Sequence, residues 1–150
     1  MKKLKKIVLF LLIVFVGIQF IPTKRNESSE VLETDFSKTF SVPANIQNTF
    51  EKSCYDCHSN NTNYPWYNKI QPISWLLENH IKEGKKEFNF SEFGSYSKRK
   101  QKNKLKSLVS QIKDKKMPMQ SYTIIHKDAK LSNADKEQII VWINKLRDDL

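Results

Sequence analysis

The segment SCYDCHSNN, residues Ser53 to Asn61, contains both cysteines of this 150-residue chain. Cys54 and Cys57 are separated by two residues, and His58 follows the second cysteine directly. Paired cysteines at this spacing occur in redox dithiols, in zinc sites and in sites of covalent cofactor attachment. The surrounding sequence has to distinguish among these three kinds of site.

The first two kinds of site lack parts that they normally require. A thioredoxin-like dithiol usually opens a helix after a strand, and no strand-like alternation of useful length occurs here. A zinc site needs four ligands, and His58, His80 and His126 do not have the standard paired spacing. A plain disulfide between Cys54 and Cys57 would close a very small loop and stabilise the fold little. A zinc or dithiol domain is therefore the less favoured alternative.

The third kind of site matches the motif fully, because C-x-x-C-H is the signature of covalent haem attachment. Two thiols one helical turn apart can add to the two vinyl groups along one edge of a porphyrin. The histidine that follows is then held under the ring, with a ring nitrogen directed at the iron. The sequence thus predicts one covalent haem c, linked through Cys54 and Cys57, with His58 as the proximal iron ligand.

A distal iron ligand has to come from a distant segment of the chain. KKMPMQSY supplies Met117 and Met119, on either side of Pro118. A thioether favours reduced iron and raises its potential. Proline restricts the residue before it to extended conformations, which lifts Met117 out of the preceding helix. We predict Met117 as the distal ligand, with Met119, a histidine or an open position as alternatives.

The loop SNNTNYPWYNKIQP contains three aromatic side chains next to Pro65. We interpret Tyr64 to Tyr67 as pinning this loop to the core. Stacking of Trp66 on the haem edge, or a tyrosine hydrogen bond to a propionate, is the alternative. His126 also lies in a predicted loop, where it could meet a propionate.

Apolar residues recur at helical spacing in four segments, which predicts an all-α domain with long loops. The first of these helices is expected to begin after Pro43, and the second to stop at Gly84. The last is expected to begin with a capping box formed by Ser132 and Asp135. Trp142 is expected to pack against the first helix. The apolar faces consist of Ile46, Phe50, Ile73, Leu76, Leu77, Ile81, Leu105, Leu108, Val109, Ile112, Ile139, Ile140, Ile143 and Leu146. Few helices with long loops indicate that a non-protein group helps to fill the centre.

The N-terminus, MKKLKKIVLFLLIVFVGIQFIPTKRN, combines four lysines with an apolar run from Ile7 to Ile21. As a helix this run would span about 22 Å, short of the roughly 30 Å hydrocarbon core, although flanking lysines could cover part of the gap. No small-residue cleavage pattern follows, which favours an uncleaved signal anchor over residues 1–22. Residues 23–42 are polar and are predicted to form a flexible linker, and residues 43–150 to form the c-type haem-binding domain.

The distribution of charge predicts the location and the partners of the chain. Lysines before the apolar run place the N-terminus in the cytoplasm, so the domain would lie on the periplasmic side of the cytoplasmic membrane. Secretion after cleavage is the alternative. The formal net charge is +10, but the densest basic segment, SKRKQKNKLK, has neither aromatics nor a known motif. We therefore predict no nucleic-acid partner, and docking on unidentified redox proteins.

Several segments together resemble the haem-binding domain family of Bacteroidetes-type bacteria, a variant of the class I cytochrome c domain. The resemblance extends from about Val42 to Leu146, and it rests on CYDCHSNNTNYPWYNKIQPISWLLENHIKEG, FNFSEF and MPMQSYTIIHKDAKLSNADKEQIIVWI. IQFIPTKRN is similar to the usual membrane anchor of the family. The resemblance implies an all-helical fold, one c-type haem and the same four cofactor-binding residues. Met-Pro-Met replaces the usual Met-Pro-Pro, which adds a competing thioether at Met119.

A six-coordinate iron with histidine and methionine ligands has no free position for substrate, which favours electron transfer. The chain contains no evident general base or nucleophile constellation. The sequence therefore predicts a membrane-tethered electron carrier that is not an enzyme. A haem-based sensor or small-ligand-binding module is the alternative if Met117 leaves the iron.

Overall fold

The computed structural model describes residues 2–150, and regular structure in that range is helical, with no strand. The α-helices of this range are α1 (Lys2–Ile18), α2 (Phe36–Thr39), α3 (Ala44–Ser53), α4 (Tyr55–His58), α5 (Ile73–Glu87), α6 (Lys98–Lys113), α7 (Gln120–Ile125) and α8 (Asn133–Asp148). Short 3₁₀-helices lie between them at Trp66–Lys69, Phe90–Ser95 and Lys127–Ala129.

Aromatic side chains form the centre of the core. Phe36, Phe50, Phe90 and Phe93 are almost completely buried. Their rings meet edge-on or tilted, as between Phe36 and Phe90, whose centroids lie 5.4 Å apart. Trp142 of α8 packs against Phe50 of α3 at 6.5 Å, which confirms the predicted contact with that helix. Such aromatic pairs stabilise a core beyond the area that they bury.

Helices α6 and α8 supply the aliphatic side of the core. Leu105, Val109 and Ile112 of α6 are buried, as are Ile139 and Ile143 of α8. These are positions that the helical spacing of apolar residues predicts, because residues three or four apart share one face of a helix.

The predicted capping box opens α8. The Ser132 hydroxyl accepts a hydrogen bond from the Asp135 N–H at 3.1 Å, and the Asp135 carboxylate accepts one from the Ser132 N–H at 2.9 Å. These bonds satisfy backbone donors for which the first helical turn offers no partner.

Residues 23–42, predicted to be a flexible linker, pack against the domain instead. The Asn26 side chain donates to the Ser59 carbonyl at 2.9 Å, which joins this segment to the end of the cysteine motif. Phe36 is 0% exposed and lies in the aromatic core. Because a core side chain comes from this polar segment, the segment belongs to the domain.

The prediction of a transmembrane anchor over residues 1–22 is wrong. Helix α1 has 17 residues, so it is about 26 Å long, below the roughly 30 Å of a hydrocarbon core. Within residues 2–150, no helix combines the length and the apolarity that crossing a membrane requires. The predicted single-pass placement, with the domain on the periplasmic side, is overturned by the same finding. Met1, the first residue of the predicted anchor, lies outside the described residues.

Helix α5 does not stop at Gly84, as the sequence predicts, but continues to Glu87. The glycine lies where α5 approaches the backbone of Cys57, and a side chain there would meet that backbone. The predicted apolar face of α5 is divided between two surroundings. Ile81 is buried, whereas Ile73 and Leu76 line a cavity.

Candidate functional site

A cavity of about 420 Å³ opens beside the cysteine motif. The four residues predicted to bind the cofactor, Cys54, Cys57, His58 and Met117, all line it. Three of them come from α4 and the residue before it, and Met117 comes from the loop after α6. The structure therefore brings together residues that are about 60 positions apart in the sequence. Their roles as thioether sites and iron ligands stay predictions.

The two cysteines are one helical turn apart. The Cys57 N–H donates to the Cys54 carbonyl at 3.2 Å, and the His58 N–H donates to the same carbonyl at 3.0 Å. Both thiols are free. Burial raises the pKa of the Cys54 thiol to about 12 and that of the Cys57 thiol to about 11. Both side chains are thus neutral thiols at neutral pH.

His58 is held in one orientation by Phe88, the residue that follows α5. Its Nδ1 lies 2.9 Å from the Phe88 carbonyl oxygen, which can only accept, so Nδ1 carries the proton of the neutral ring. Burial lowers the pKa of His58, although the hydrogen bond to Phe88 opposes that effect. The neutral ring therefore has its lone pair on Nε2, the form in which histidine binds a metal.

The predicted distal ligand, Met117, can be compared by position with two other candidates. Met117, Met119 and His80 all line the larger cavity. A second cavity of about 260 Å³ adjoins Cys54 and His58 from the side of α6. Met117 lines this second cavity as well, whereas Met119 and His80 do not. Met117 therefore lies at the junction of the two cavities, together with the predicted proximal histidine.

The charged side chains that line the larger cavity are carboxylates, namely Asp56, Glu83 and Glu87. Lys104 from α6 lies 3.6 Å from the Glu87 carboxylate and compensates part of this charge. The cavity is therefore more acidic than the chain as a whole, whose formal net charge is +10. Negative charge near a metal favours its more positive oxidation state.

Two hydrogen bonds at the cavity rim were not foreseen from the sequence. The Tyr67 hydroxyl lies 2.8 Å from Nε2 of His126, and the Tyr122 hydroxyl donates to the Asp56 carboxylate at 2.6 Å. The YPWY loop is the sequence signal that pointed to Tyr67, which lines the cavity together with Tyr122. Nε2 of His126 thus has a protein partner in Tyr67.

The zinc alternative requires further ligands close to the cysteines. In the part of the chain that the structure describes, no group of three or more His, Cys, Asp or Glu side chains is placed to hold a metal ion. A four-ligand zinc site is therefore not assembled around Cys54 and Cys57 within residues 2–150.

The residues around the cavity fit a haem. Cavities of this size are typical of small-molecule and cofactor sites, which are lined mostly by apolar side chains. Ile73, Leu76, Leu77 and Ile125 supply such a lining here. Two free thiols, an imidazole with an available Nε2 and a thioether are the donor groups that a covalently attached haem uses.

Comparisons with known proteins agree with this fit. The chain is 27% identical to the cytochrome c peroxidase Ccp of Escherichia coli (strain K12) over 127 residues. That similarity covers 83% of this chain but only 27% of the length of the peroxidase. No solved structure matches the chain. The model of a family described as a haem-binding domain matches residues 13–145. The assignment to Bacteroidetes-type bacteria stays a prediction, but the chain belongs to the haem-binding domain family.

Proposed function

We propose that this chain is a monohaem electron carrier of the c type. In this proposal the haem is linked through Cys54 and Cys57, and His58 and Met117 ligate its iron. The observation that carries the proposal is that these four side chains line one cavity. When bound, the haem would supply a one-electron couple between ferric and ferrous iron.

The protein's contribution would be to keep the surroundings of the iron nearly unchanged between the two oxidation states. The Phe88 carbonyl fixes the ring of His58 through Nδ1. Such an outer partner keeps a ligating histidine in one tautomer and one orientation. With protein side chains on both faces, no position would remain for a substrate, and the site would serve electron transfer.

The partners of this carrier would be redox proteins with acidic docking surfaces. The formal net charge of +10 favours such encounters at low ionic strength. Because charges at protein surfaces are screened by salt, the association should slow as ionic strength rises. We do not propose a nucleic-acid partner.

Mass spectrometry tests the covalent attachment. The full chain, made in a host with working c-type cytochrome maturation, should gain the mass of one haem and keep its colour after acid–acetone extraction. Cys57→Ser should lower the yield of holoprotein sharply. A chain with the bare polypeptide mass would overturn the proposal.

A second candidate function is reduction of peroxide. The similarity to a cytochrome c peroxidase over 127 residues favours it, although the chain spans 27% of that protein's length. Such a reaction needs an open position on the iron, so Met117 would have to leave it or not bind it. The same open position would serve a haem-based sensor.

Carbon monoxide binding and peroxide turnover discriminate between the two candidates. An electron carrier with Met117 on the iron should bind carbon monoxide slowly when reduced and consume hydrogen peroxide slowly in the presence of a reductant. Met117→Ala should be faster in both assays. If the unmodified protein already matches Met117→Ala in both assays, the second candidate replaces the first.

A further inference from the structure

The segment that carries Met117 continues into α7 and ends at His126. We call residues 117–126 the methionine strap. The strap shows little apolar packing towards its C-terminal end, where Ile124 is 66% exposed. Polar contacts therefore have a larger share in holding this part of the strap than they have in the core.

The first of these contacts joins the strap to the cysteine motif itself. Tyr122 donates a hydrogen bond of 2.6 Å to Asp56, which lies between Cys54 and Cys57. A hydrogen bond to an ionised carboxylate is stronger than one between neutral groups. The other carboxylate oxygen of Asp56 accepts from the Asn63 N–H at 3.1 Å, so the carboxylate is itself fixed from a second side.

The second contact joins the end of the strap to the YPWY loop. The Tyr67 hydroxyl lies 2.8 Å from Nε2 of His126. The rings of His126 and Tyr122 stack, with centroids 4.3 Å apart and planes inclined by 17°. Both hydrogen bonds therefore involve this stacked pair. Tyr122 bonds to the cysteine motif, and His126 bonds to the YPWY loop.

We propose that Tyr122 and Tyr67 are positioning residues that hold the strap closed, and thereby keep Met117 opposite His58. This inference rests on the proposed ligation of the iron by Met117. The hydrogen bonds of Tyr122 to Asp56 and of Tyr67 to His126 would then control how readily an external ligand reaches the iron. Loss of either bond frees the strap and exposes the distal position more often.

The two tyrosines should differ in the size of their effect. Tyr122 donates to a carboxylate oxygen, whereas the partner of Tyr67 is an imidazole nitrogen. Tyr122→Phe should therefore raise the rate of carbon monoxide binding to the reduced holoprotein about tenfold, and Tyr67→Phe by a smaller factor. Both substitutions keep the ring, so the stacking on His126 is retained. Asp56→Asn keeps an acceptor without its charge and should give an intermediate rate.

Tyr96→Phe is the matched control, because Tyr96 packs on Phe93 at 5.6 Å, away from the cavity. It should bind carbon monoxide at the rate of the unmodified protein. Hydrogen exchange of the amides of residues 120–126 provides a readout that does not depend on the iron. These amides should exchange faster in Tyr122→Phe than in Tyr96→Phe.

Met117→Ala, measured in parallel, separates failure of this inference from failure of the proposed function. If the unmodified protein binds carbon monoxide as fast as Met117→Ala, Met117 is not the distal ligand, and both proposals fall. If Met117→Ala is faster but Tyr122→Phe is not, the inference about the strap alone is overturned. Faster binding and faster exchange in Tyr122→Phe, with Tyr96→Phe unchanged, support it.

Discussion

Gly84 of α5 lies directly against the backbone of Cys57. A Cβ atom at position 84 would come within 2.6 Å of the Cys57 carbonyl oxygen, closer than real Cβ contacts allow. The same stretch of α5 leads to Phe88, whose carbonyl orients His58. The missing side chain of one glycine thus sets the distance between α5 and the residues proposed to bind haem.

Gly84→Ala should therefore destabilise the protein, although glycine within a helix is normally about 1 kcal/mol less favourable than alanine. The added methyl group would push α5 away from α4 and misplace the acceptor of the His58 ring. We expect a lower denaturation midpoint and a lower yield of covalent holoprotein.

Gly17→Ala is the matched control, since a Cβ atom at Gly17 in α1 would meet nothing within 4 Å. It should leave the midpoint unchanged or raise it slightly. An equal gain in stability from both substitutions would show that the contact between α5 and Cys57 imposes no constraint.

Phe36→Ala should cost about 3–5 kcal/mol of unfolding free energy, because it removes a fully buried aromatic ring from the core. Urea denaturation measures this cost. Val31→Ala, in the same segment, should change the free energy little, since Val31 is 62% exposed. A negligible cost for Phe36→Ala would restore the interpretation of residues 23–42 as a linker.

Periodicity predicted the buried face of α6 well, but not that of α5, where Leu76 is 58% exposed. Leu105, Val109 and Ile112 share one face of α6, and all three are buried. The chemistry of the donor groups singled out Cys54, Cys57, His58 and Met117, which line one cavity, while their roles stay predictions. The prediction of Met117 rested on its thioether and the proline that follows it, not on any local pattern of burial.

The unforeseen features depend on contacts between distant parts of the chain. Tyr67 and His126 are 59 positions apart, and Tyr122 and Asp56 are 66 positions apart, so no local pattern pairs them. Phe36 was missed because its segment is polar overall, although Phe40 follows four positions later and its ring lies 5.1 Å from that of Phe36. The anchor prediction gave too much weight to the apolar composition of the N-terminus and too little to the length of its helix.

The capping box of α8 gives a prediction for the dependence of stability on pH. Hydrogen bonds from Ser132 lower the pKa of Asp135 below its ordinary value of 3.8. A carboxyl group with a lowered pKa stabilises the folded state above its unfolded pKa, and this contribution is lost as the pH falls through the folded pKa. Ser132→Ala should cost about 0.5–2 kcal/mol at pH 7, and the cost should shrink below about pH 4.

Denaturation of Ser132→Ala and of the unmodified protein at pH 7 and pH 3 measures that difference. Asp135→Asn serves as the control, because its side chain does not titrate in this range. The loss of unfolding free energy caused by Asp135→Asn should be smaller at pH 3 than at pH 7. In the Asp135→Asn background, Ser132→Ala should lower the free energy of unfolding by the same amount at both pH values. A cost that varies with pH in that background would assign the effect to another group.

The choice between the two thioethers can be tested through the reduction potential. Met117 lines both cavities, as does His58, whereas Met119 lines only the larger one. Because a methionine ligand raises the potential of haem iron, Met117→Ala should lower the midpoint potential by on the order of 0.1 V. It should also remove the weak far-red absorption band of methionine-ligated ferric haem.

Met119→Ala, the matched control, should retain the band and a nearly unchanged potential. If Met119→Ala loses the band and Met117→Ala keeps it, the distal ligand has to be reassigned to Met119, because two thioethers two residues apart cannot both occupy one axial position.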